Sequence, residues 1–291
     1  MRSLAESAAL VVLLRSGQRP WNVYAEMVEE RGSAIAVLEE QAGQAQASLF
    51  AADCEGRLDS AAAEIAGWQA GGMQLLSVLD PDYPENLRAV HDRPPLIFLA
   101  GQLEHRDARS LAVVGARAAS ARGRVAAQAI AEHLVQRGYT VVSGLAAGID
   151  TAGHAAALAA GGRTIAVLGT GLSRVYPPQN AALQRRISRE CAAVSQFWPA
   201  APPSRRSFPM RNAVMSGMTL ATVVVEASET SGARTQARLA LAHGRPVLLL
   251  DTLLEQRWAR ECAAQPGAHV VGSPGEITDV IERLASGALT V

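Results

Sequence analysis

The sequence predicts an α/β fold, a doubly wound and mainly parallel sheet with a small N-terminal helical domain. Three observations carry that prediction. From residue 110 onward, short apolar runs at 111–115, 140–143, 164–168, 192–195, 221–225, 246–250 and 268–271 alternate with helix-length stretches such as 120–137, 151–160, 180–190 and 231–243. Strands and helices in alternation imply βαβ units and a parallel sheet covered on both faces. The punctuation agrees: Gly138 and Gly161 stand where helix C-caps belong, and Ser273-Pro274-Gly275-Glu276 is a capping box with Pro at the first helical position. Finally, five motifs follow one another: LAVVGARAAS (111–120), TVVSGLAAGID (140–150), TIAVLGTGLSRVYPPQN (164–180), FPMRN (208–212) and VVVEASETSGARTQARLAL (223–241). Four of them follow a strand run that stops at Gly or a small polar residue, so they meet at the carboxyl edge of the sheet, where open α/β folds bind ligands.

Taken in order, residues 3–39 place Leu4, Ala8, Val11 and Leu14, then Val23, Met27 and Val28, at helical spacing, interrupted by RSGQRP (15–20) and Gly32-Ser33. That pattern predicts short bundled helices. A further helix is expected over 59–70. Pro81, Pro84, Pro94 and Pro95 then punctuate a stretch with two short strands, 75–79 and 96–100. The expected organisation is a helical domain at 1–72, a connector with short strands at 73–109 and the α/β domain at 110–291.

Composition bounds the function. A chain of 291 residues can bury a full core. No uninterrupted apolar run reaches membrane-spanning length, and residues 1–20 lack a signal peptide's basic start and cleavage site. A soluble cytoplasmic protein without a membrane partner is expected. Cys54, Cys191 and Cys262 are too far apart for CxxC metal spacing or a disulfide framework and read as buried reduced thiols. Basic and acidic residues balance at 27 each, so global charge gives no nucleic-acid signal. Every basic residue is Arg, and any phosphate contact must come from guanidinium groups, backbone amides or hydroxyls.

At the strand ends, Gly115-Ala116-Arg117 with Ser120 as the next helix's cap would present free amides and one guanidinium, a phosphate-sized environment. Ser143-Gly144 and Gly148 repeat the arrangement with Asp150 as a helix cap, and Gly169-Thr170-Gly171 adds a third glycine turn. Neither G-x-G-x-x-G nor a GxxxxGK[ST] loop is present. Arg117 and Arg211 are candidates for phosphate contact or for ion pairs with Asp150 or Glu226. Arg174, Arg205 and Arg206 lie in loop-like stretches, as solvated or phosphate-facing groups. Tyr176 offers a stacking face or shapes its loop. Phe197 and Trp198 read as core packing or base stacking. His154 reads foremost as a packing residue, and Glu226 as a structural acceptor of rim amides rather than a general base. No catalytic residue, metal or cofactor is expected.

These motifs carry a resemblance. Residues 75–250 resemble the DNA-processing protein DprA/Smf family, whose VGxR, SGxAxGID followed by His, TIAVLGxG, YPxxN, FPxRN and VxEA…SG segments are matched in order. The matching residues are Gly115-Ala116-Arg117; Ser143 to Asp150 with His154; Thr164 to Gly171; Tyr176 to Asn180; Phe208 to Asn212; and Glu226-Ala227 with Ser231-Gly232. The lead-in DPDYPENLRAVHDRPPLIFLAG (80–101) is similar too. The resemblance implies an extended Rossmann-like domain that binds single-stranded DNA and assists loading of a RecA-type recombinase. It nominates Gly115, Arg117, Ser120, Ser143, Gly144, Gly148, Gly169, Gly171, Arg174, Tyr176, Asn180, Arg211, Asn212, Ser231 and Gly232 as the DNA- or phosphate-binding set, with Asp150 and Glu226 as structural rim acids.

The sequence departs from the family where Ala147 and Ala213 replace expected arginines, where Gln196 replaces Glu, and at Arg234 and Gln236. The segment DTLLEQRWARECAAQPG (251–267) replaces a Gly- and Asn-rich one, and no winged helix follows. Each lost guanidinium removes a potential phosphate contact. This leaves a nucleotide-sensing module in a stress or phage-defence pathway as an alternative. A phosphoribohydrolase is disfavoured because its PGGxGTxxE segment is absent. Leu239, Leu241, Leu253, Leu254 and Trp258 either form an apolar contact surface, giving the homodimer that the resemblance implies, or close the core around 268–271.

Overall fold

The structure, a computed structural model, describes residues 3–44 and 47–288, with side chains described for 3–42 and 55–286. Among the described residues are twelve α-helices and nine strands. Four helices open the chain: α1 (Leu4–Ser16), α2 (Trp21–Arg31), α3 (Ala34–Gln44) and α4 (Ala47–Ala70). The Ser3 hydroxyl accepts from the Glu6 amide at the start of α1, and Gly17 ends it in the left-handed region at φ 63°. Seven consecutive residues of α1, Ala8 to Leu14, are buried, so this helix is the centre of the bundle rather than a half-exposed cover. The helix expected over 59–70 is the end of the longer α4.

Next come β1 (Met73–Ser77), α5 (Glu85–Arg88) and β2 (Leu96–Gly101). The remainder alternates as predicted: β3 (Ser110–Val114), α6 (Ala121–Gln136), β4 (Thr140–Ser143), α7 (Ile149–Ala159), β5 (Thr164–Val167), α8 (Ala181–Glu190), β6 (Ala192–Ser195), α9 (Ser207–Met218), β7 (Ala221–Val224), α10 (Gly232–Ala242), β8 (Val247–Leu250), α11 (Arg257–Ala263), β9 (Ala268–Val271) and α12 (Pro274–Ala288). The sheet order is β1-β2-β6-β5-β4-β3-β7-β8-β9, parallel from β6 to β9. The two short strands before residue 110 join the same sheet, antiparallel, at the β6 edge. Residues of β3 to β8 are buried on both faces, which is why their sequence reads as continuous apolar runs rather than alternation.

One buried cluster runs from α1 through the sheet to α12. The half-buried Trp198 packs against it, its ring 5.7 Å from Trp21, 6.1 Å from Trp68 and 5.9 Å from Phe98. Cys191 and Cys262 are buried free thiols, while Cys54 lies outside the described side chains. No described helix is long and apolar enough to cross a membrane.

FPMRN, the one motif of the five that follows no strand run, lies inside α9, whose start is fixed by reciprocal bonds between Ser204 and Ser207, with Pro209 in the first turn, where a missing N–H costs nothing. Of the five apolar residues expected at a contact surface or in the core, Leu253 and Trp258 are 3% and 4% exposed and close the core near Val271, while Leu239, Leu241 and Leu254 are half-buried.

Candidate functional site

The chain enters the parallel sheet at β3, builds β4, β5 and β6 to one side, then returns to lay β7, β8 and β9 on the other. Loops leaving β3 and β7 therefore diverge, and the gap between them is the position where such sheets bind ligands. A cleft of about 750 Å³ opens there, lined by Gly115, Arg117, Arg211, Asn212, Glu226, Ser231 and Gly232 among others.

Close backbone contacts build its floor. A Cβ on Gly115 would lie 2.5 Å from the Ile149 side chain and 2.7 Å from the Glu226 carbonyl oxygen. The Ala116 amide donates to that carbonyl at 2.6 Å, and the Ile149 amide to the Ala116 carbonyl at 3.2 Å. Gly148, at φ 81°, lies so near Ala116 and Arg117 that no side chain fits. The three loops after β3, β4 and β7 are thus joined by their main chains.

That joining overturns the expectation of free amides. Asp150 is not a helix cap; it stands inside the first turn of α7, and its Oδ2 accepts from the Gly144 and Ala146 amides at 3.1 and 3.2 Å. Burial pushes its carboxyl above the ordinary range, while the Arg211 guanidinium pulls it back. Glu226 accepts from the Ser120 amide at 2.9 Å and from the Ser120 hydroxyl at 2.5 Å, and that hydroxyl in turn accepts from the Gly123 amide. Ser143 is fully buried and donates to the Val113 carbonyl at 2.6 Å. The amides of Ala116, Ser120, Gly144 and Ala146 are therefore engaged within the protein. Glu226 accepts a rim amide as the sequence reading expected, whereas Asp150, expected as a helix cap, takes the Gly144 and Ala146 amides instead.

Arginine is left to face the cleft. Arg211 rises from α9, 6% exposed, its Nε donating to the Asn212 side chain at 2.9 Å and its Nη1 to the Val167 carbonyl at 3.0 Å. A Cβ on Gly144 would overlap this guanidinium, so Gly144 is the seat of Arg211. Burial lowers the Arg211 pKa; Asp150 opposes this and the neighbouring charge of Arg117 adds to it, so the two arginines feel each other. Arg117 is exposed, makes no ion pair among the described residues and stacks its guanidinium 5.0 Å from the Phe208 ring centroid. Phe208 packs against Gly169 and lies 5.5 Å from Tyr176, which is 38% exposed. Cation and aromatic faces thus form one continuous surface. Phe208 is the residue that sequence reasoning passed over, although it stands in the FPMRN motif.

The other nominated residues divide between scaffold and rim. Asn180 is buried and donates to the Leu145 carbonyl and the Thr151 hydroxyl, both at 2.9 Å, holding the YPPQN loop to the SGLAAGID loop. Gly171 abuts the Trp198 and Pro199 carbonyls, away from the cleft. Arg174 is exposed, with its Nε donating to the Ala200 carbonyl. Ser231 caps α10 by accepting from the Ala233 amide at 3.2 Å, and Gly232 opens that helix beside the cleft with free space at its Cα. A helix N-terminus there favours an anion. His154 is fully buried, and desolvation pushes its pKa down to about 3, so it is neutral near pH 7. The Thr164 hydroxyl donates to the Val141 carbonyl, so the proton shared with His154 at 2.6 Å sits on Nδ1.

With this geometry in view, the relatives are informative. The family model for DNA recombination-mediator protein A matches residues 74–284. The chain is 38% identical over 210 residues to a Synechocystis protein Smf, covering 70% of this chain and 53% of that protein. It is 36% identical over 203 residues to the DNA processing protein DprA of Streptococcus pneumoniae, covering 69% and 72% of the two chains. The chain thus spans about half the length of the Synechocystis relative. The X-ray structure of S. pneumoniae DprA superposes over 96% of this chain and 98% of its own with a TM-score of 0.75 at 28% identity. A Helicobacter pylori DprA structure, described in terms of its single-stranded DNA binding mode, shares the fold at TM-score 0.63, 22% identity and 74% of this chain against 96% of its own. Extended, mainly parallel sheet, motif order and sequence identity converge, and the chain belongs to the DNA recombination-mediator protein A family, the DprA/Smf proteins.

Proposed function

We propose that the cleft between β3 and β7 and its Arg117–Phe208–Tyr176 rim bind single-stranded DNA without turning it over. The observation that carries this reading is Arg117, an exposed cation stacked on half-buried Phe208 beside exposed Tyr176, with no carboxylate partner among the described residues. Single strands are held by such pairs, because phosphate seeks the guanidinium and every base offers a face for stacking. The H. pylori relative is described as a single-stranded DNA binder, which supports the same ligand class here. Glu226 and Asp150, the acids nearest the cleft, are occupied as acceptors and offer no free general base.

Cooperation with a RecA-type recombinase, a cytoplasmic location and a homodimer belong to this reading and rest on family membership. Half-buried Leu254 is the residue on which to test the dimer, by light scattering of Leu254→Glu. A second reading, capture of a small phosphorylated nucleotide, is favoured by the enclosed seat of Arg211 and by a cleft volume within the range of small-molecule sites. Gel shifts with single-stranded oligonucleotides at two salt concentrations, beside a thermal-shift screen of nucleotides, separate the two. A salt-sensitive shift supports DNA; nucleotide stabilisation with no shift at either salt supports the alternative.

A further inference from the structure

A second cluster lies away from the cleft, in the turn before β2. His91 and Asp92 stand in that turn, and His243 follows α10 from the other half of the chain. One ligating atom from each residue lies within 4.8 Å of the others. The His243 ring has no exposed side-chain surface. Its Nδ1 meets the Ser216 hydroxyl of α9 at 2.5 Å. Its Nε2 stands 2.8 Å from Asp92 Oδ1, an ion-pair distance with the two groups poorly aligned, and neither buried atom has a partner besides the other. Buried polar atoms held only by one poorly aligned contact keep capacity for a shared partner. His91 completes the group from the solvent side, its ring edge-on to His243 at 5.4 Å.

We propose that His91, Asp92 and His243 form a binding site for a divalent transition-metal ion, with Zn²⁺ as the best fit. Ligands at about 2.0–2.1 Å from zinc stand roughly 3.4 Å apart in a tetrahedron; the half-exposed Asp92 would widen its 2.8 Å approach to His243, and the exposed His91 would close from its place within 4.8 Å of both. Two imidazoles and one carboxylate suit zinc better than magnesium or calcium, which take oxygen ligands. With Nδ1–H donating to Ser216, the Nε2 lone pair of His243 is directed to the ion, the usual outer-shell support of a metal-binding histidine. Arg93, the nearest cation in sequence, is paired with Glu29 and does not compete for Asp92. Three protein ligands leave a fourth position to water. The ion would clamp the turn before β2 to α9 and α10, joining segments distant in sequence.

The test uses the full chain, stripped with a chelator and titrated with Zn²⁺ alone, with Co²⁺ as a spectroscopic probe. One equivalent should bind with micromolar or tighter affinity, give the visible bands of four-coordinate Co²⁺ and raise Tm by several degrees. His91→Ala, at an exposed position, should weaken binding at least 10-fold with the circular dichroism spectrum unchanged. Ser216→Ala should weaken it about 10-fold while keeping one equivalent. Binding that does not saturate at one equivalent, or an affinity unchanged in both His91→Ala and Asp92→Asn, overturns the proposal.

Discussion

Arginine is used in opposite ways at the two ends of the parallel sheet. At the amino end, Arg163 precedes β5 with its side chain 9% exposed, and its guanidinium is saturated: Asp107 accepts from Nε and Nη2 at 2.9 and 2.8 Å, the Gln102 carbonyl accepts from Nη2 at 2.9 Å, and Glu104 pairs with Nη1. Asp107 also accepts from the Thr140 hydroxyl at 2.8 Å and the Glu104 amide at 2.8 Å. At the carboxyl end, Asp150 and Glu226 are occupied by backbone amides and by Ser120, and Arg117 meets an aromatic ring instead of an acid. The carboxylates lining the cleft keep their charge but commit their acceptor oxygens to amides and a hydroxyl, which leaves the Arg117 guanidinium without a direct carboxylate partner among the described residues. A basic residue becomes available to a ligand according to what its acidic neighbours are already holding.

Breaking the saturated end should give the largest effect. Arg163→Ala leaves Asp107 buried without its main partner and should cost about 3–5 kcal/mol of stability. A urea denaturation series checks this, and DNA affinity of the folded fraction at low denaturant should stay at the wild-type value. A loss of affinity equal to that of an Arg117 variant would erase the distinction between the two ends.

Acid should act next, through the buried face of α7. The folded protein holds His154 neutral down to about pH 3, whereas the unfolded chain takes up that proton below about pH 6.5. The stabilising share of this group is complete above 6.5 and falls by roughly 1.4 kcal/mol per pH unit as pH drops toward 3. Stability measured at pH 7 and pH 4.5 should therefore differ by about 2.5 kcal/mol from this source, and His154→Asn should remove that part of the slope. The Arg163 cluster contains no histidine, so the same substitution separates the two regions.

The smallest effect sharpens the comparison from the other side. Ala147 is exposed beside the cleft, in the loop where the family resemblance leads one to expect arginine. Ala147→Arg should raise affinity for a single-stranded oligonucleotide by a few-fold and steepen its salt dependence by about 0.7 in log–log slope, one added phosphate contact. Fluorescence anisotropy across a salt series reads both.

Much of the fold was legible because β3 to β8 are buried on both faces and their helices end at glycines such as Gly138, at φ 74°. α9 was not, since FPMRN carries a proline and no apolar periodicity until Val214, and its start depends on the Ser204–Ser207 bonds. Within the site, Arg117 and Arg211 were legible as cations and Glu226 as an acceptor of rim amides, but its partner, Ser120, stands 106 residues away and only the fold shows it. The capture of the Gly144 and Ala146 amides by Asp150, six and four residues on, was not legible because it depends on how the loop after β4 folds back. The His91–Asp92–His243 cluster escaped because its members are far apart in sequence, two before β2 and one after α10. Sequence shows the supply of polar groups, and only the fold shows which are already paired.

The central claim is that Arg117 is a phosphate-binding cation at the cleft and not a structural one. Its most direct test is the slope of log affinity against log salt for a single-stranded oligonucleotide, measured for the wild-type protein and Arg117→Ala. The account predicts a slope shallower by about 0.7 in the variant, with affinity about 10-fold lower at low salt and stability within about 0.5 kcal/mol of wild type. Equal slopes, or a loss of stability in place of a loss of affinity, would contradict it.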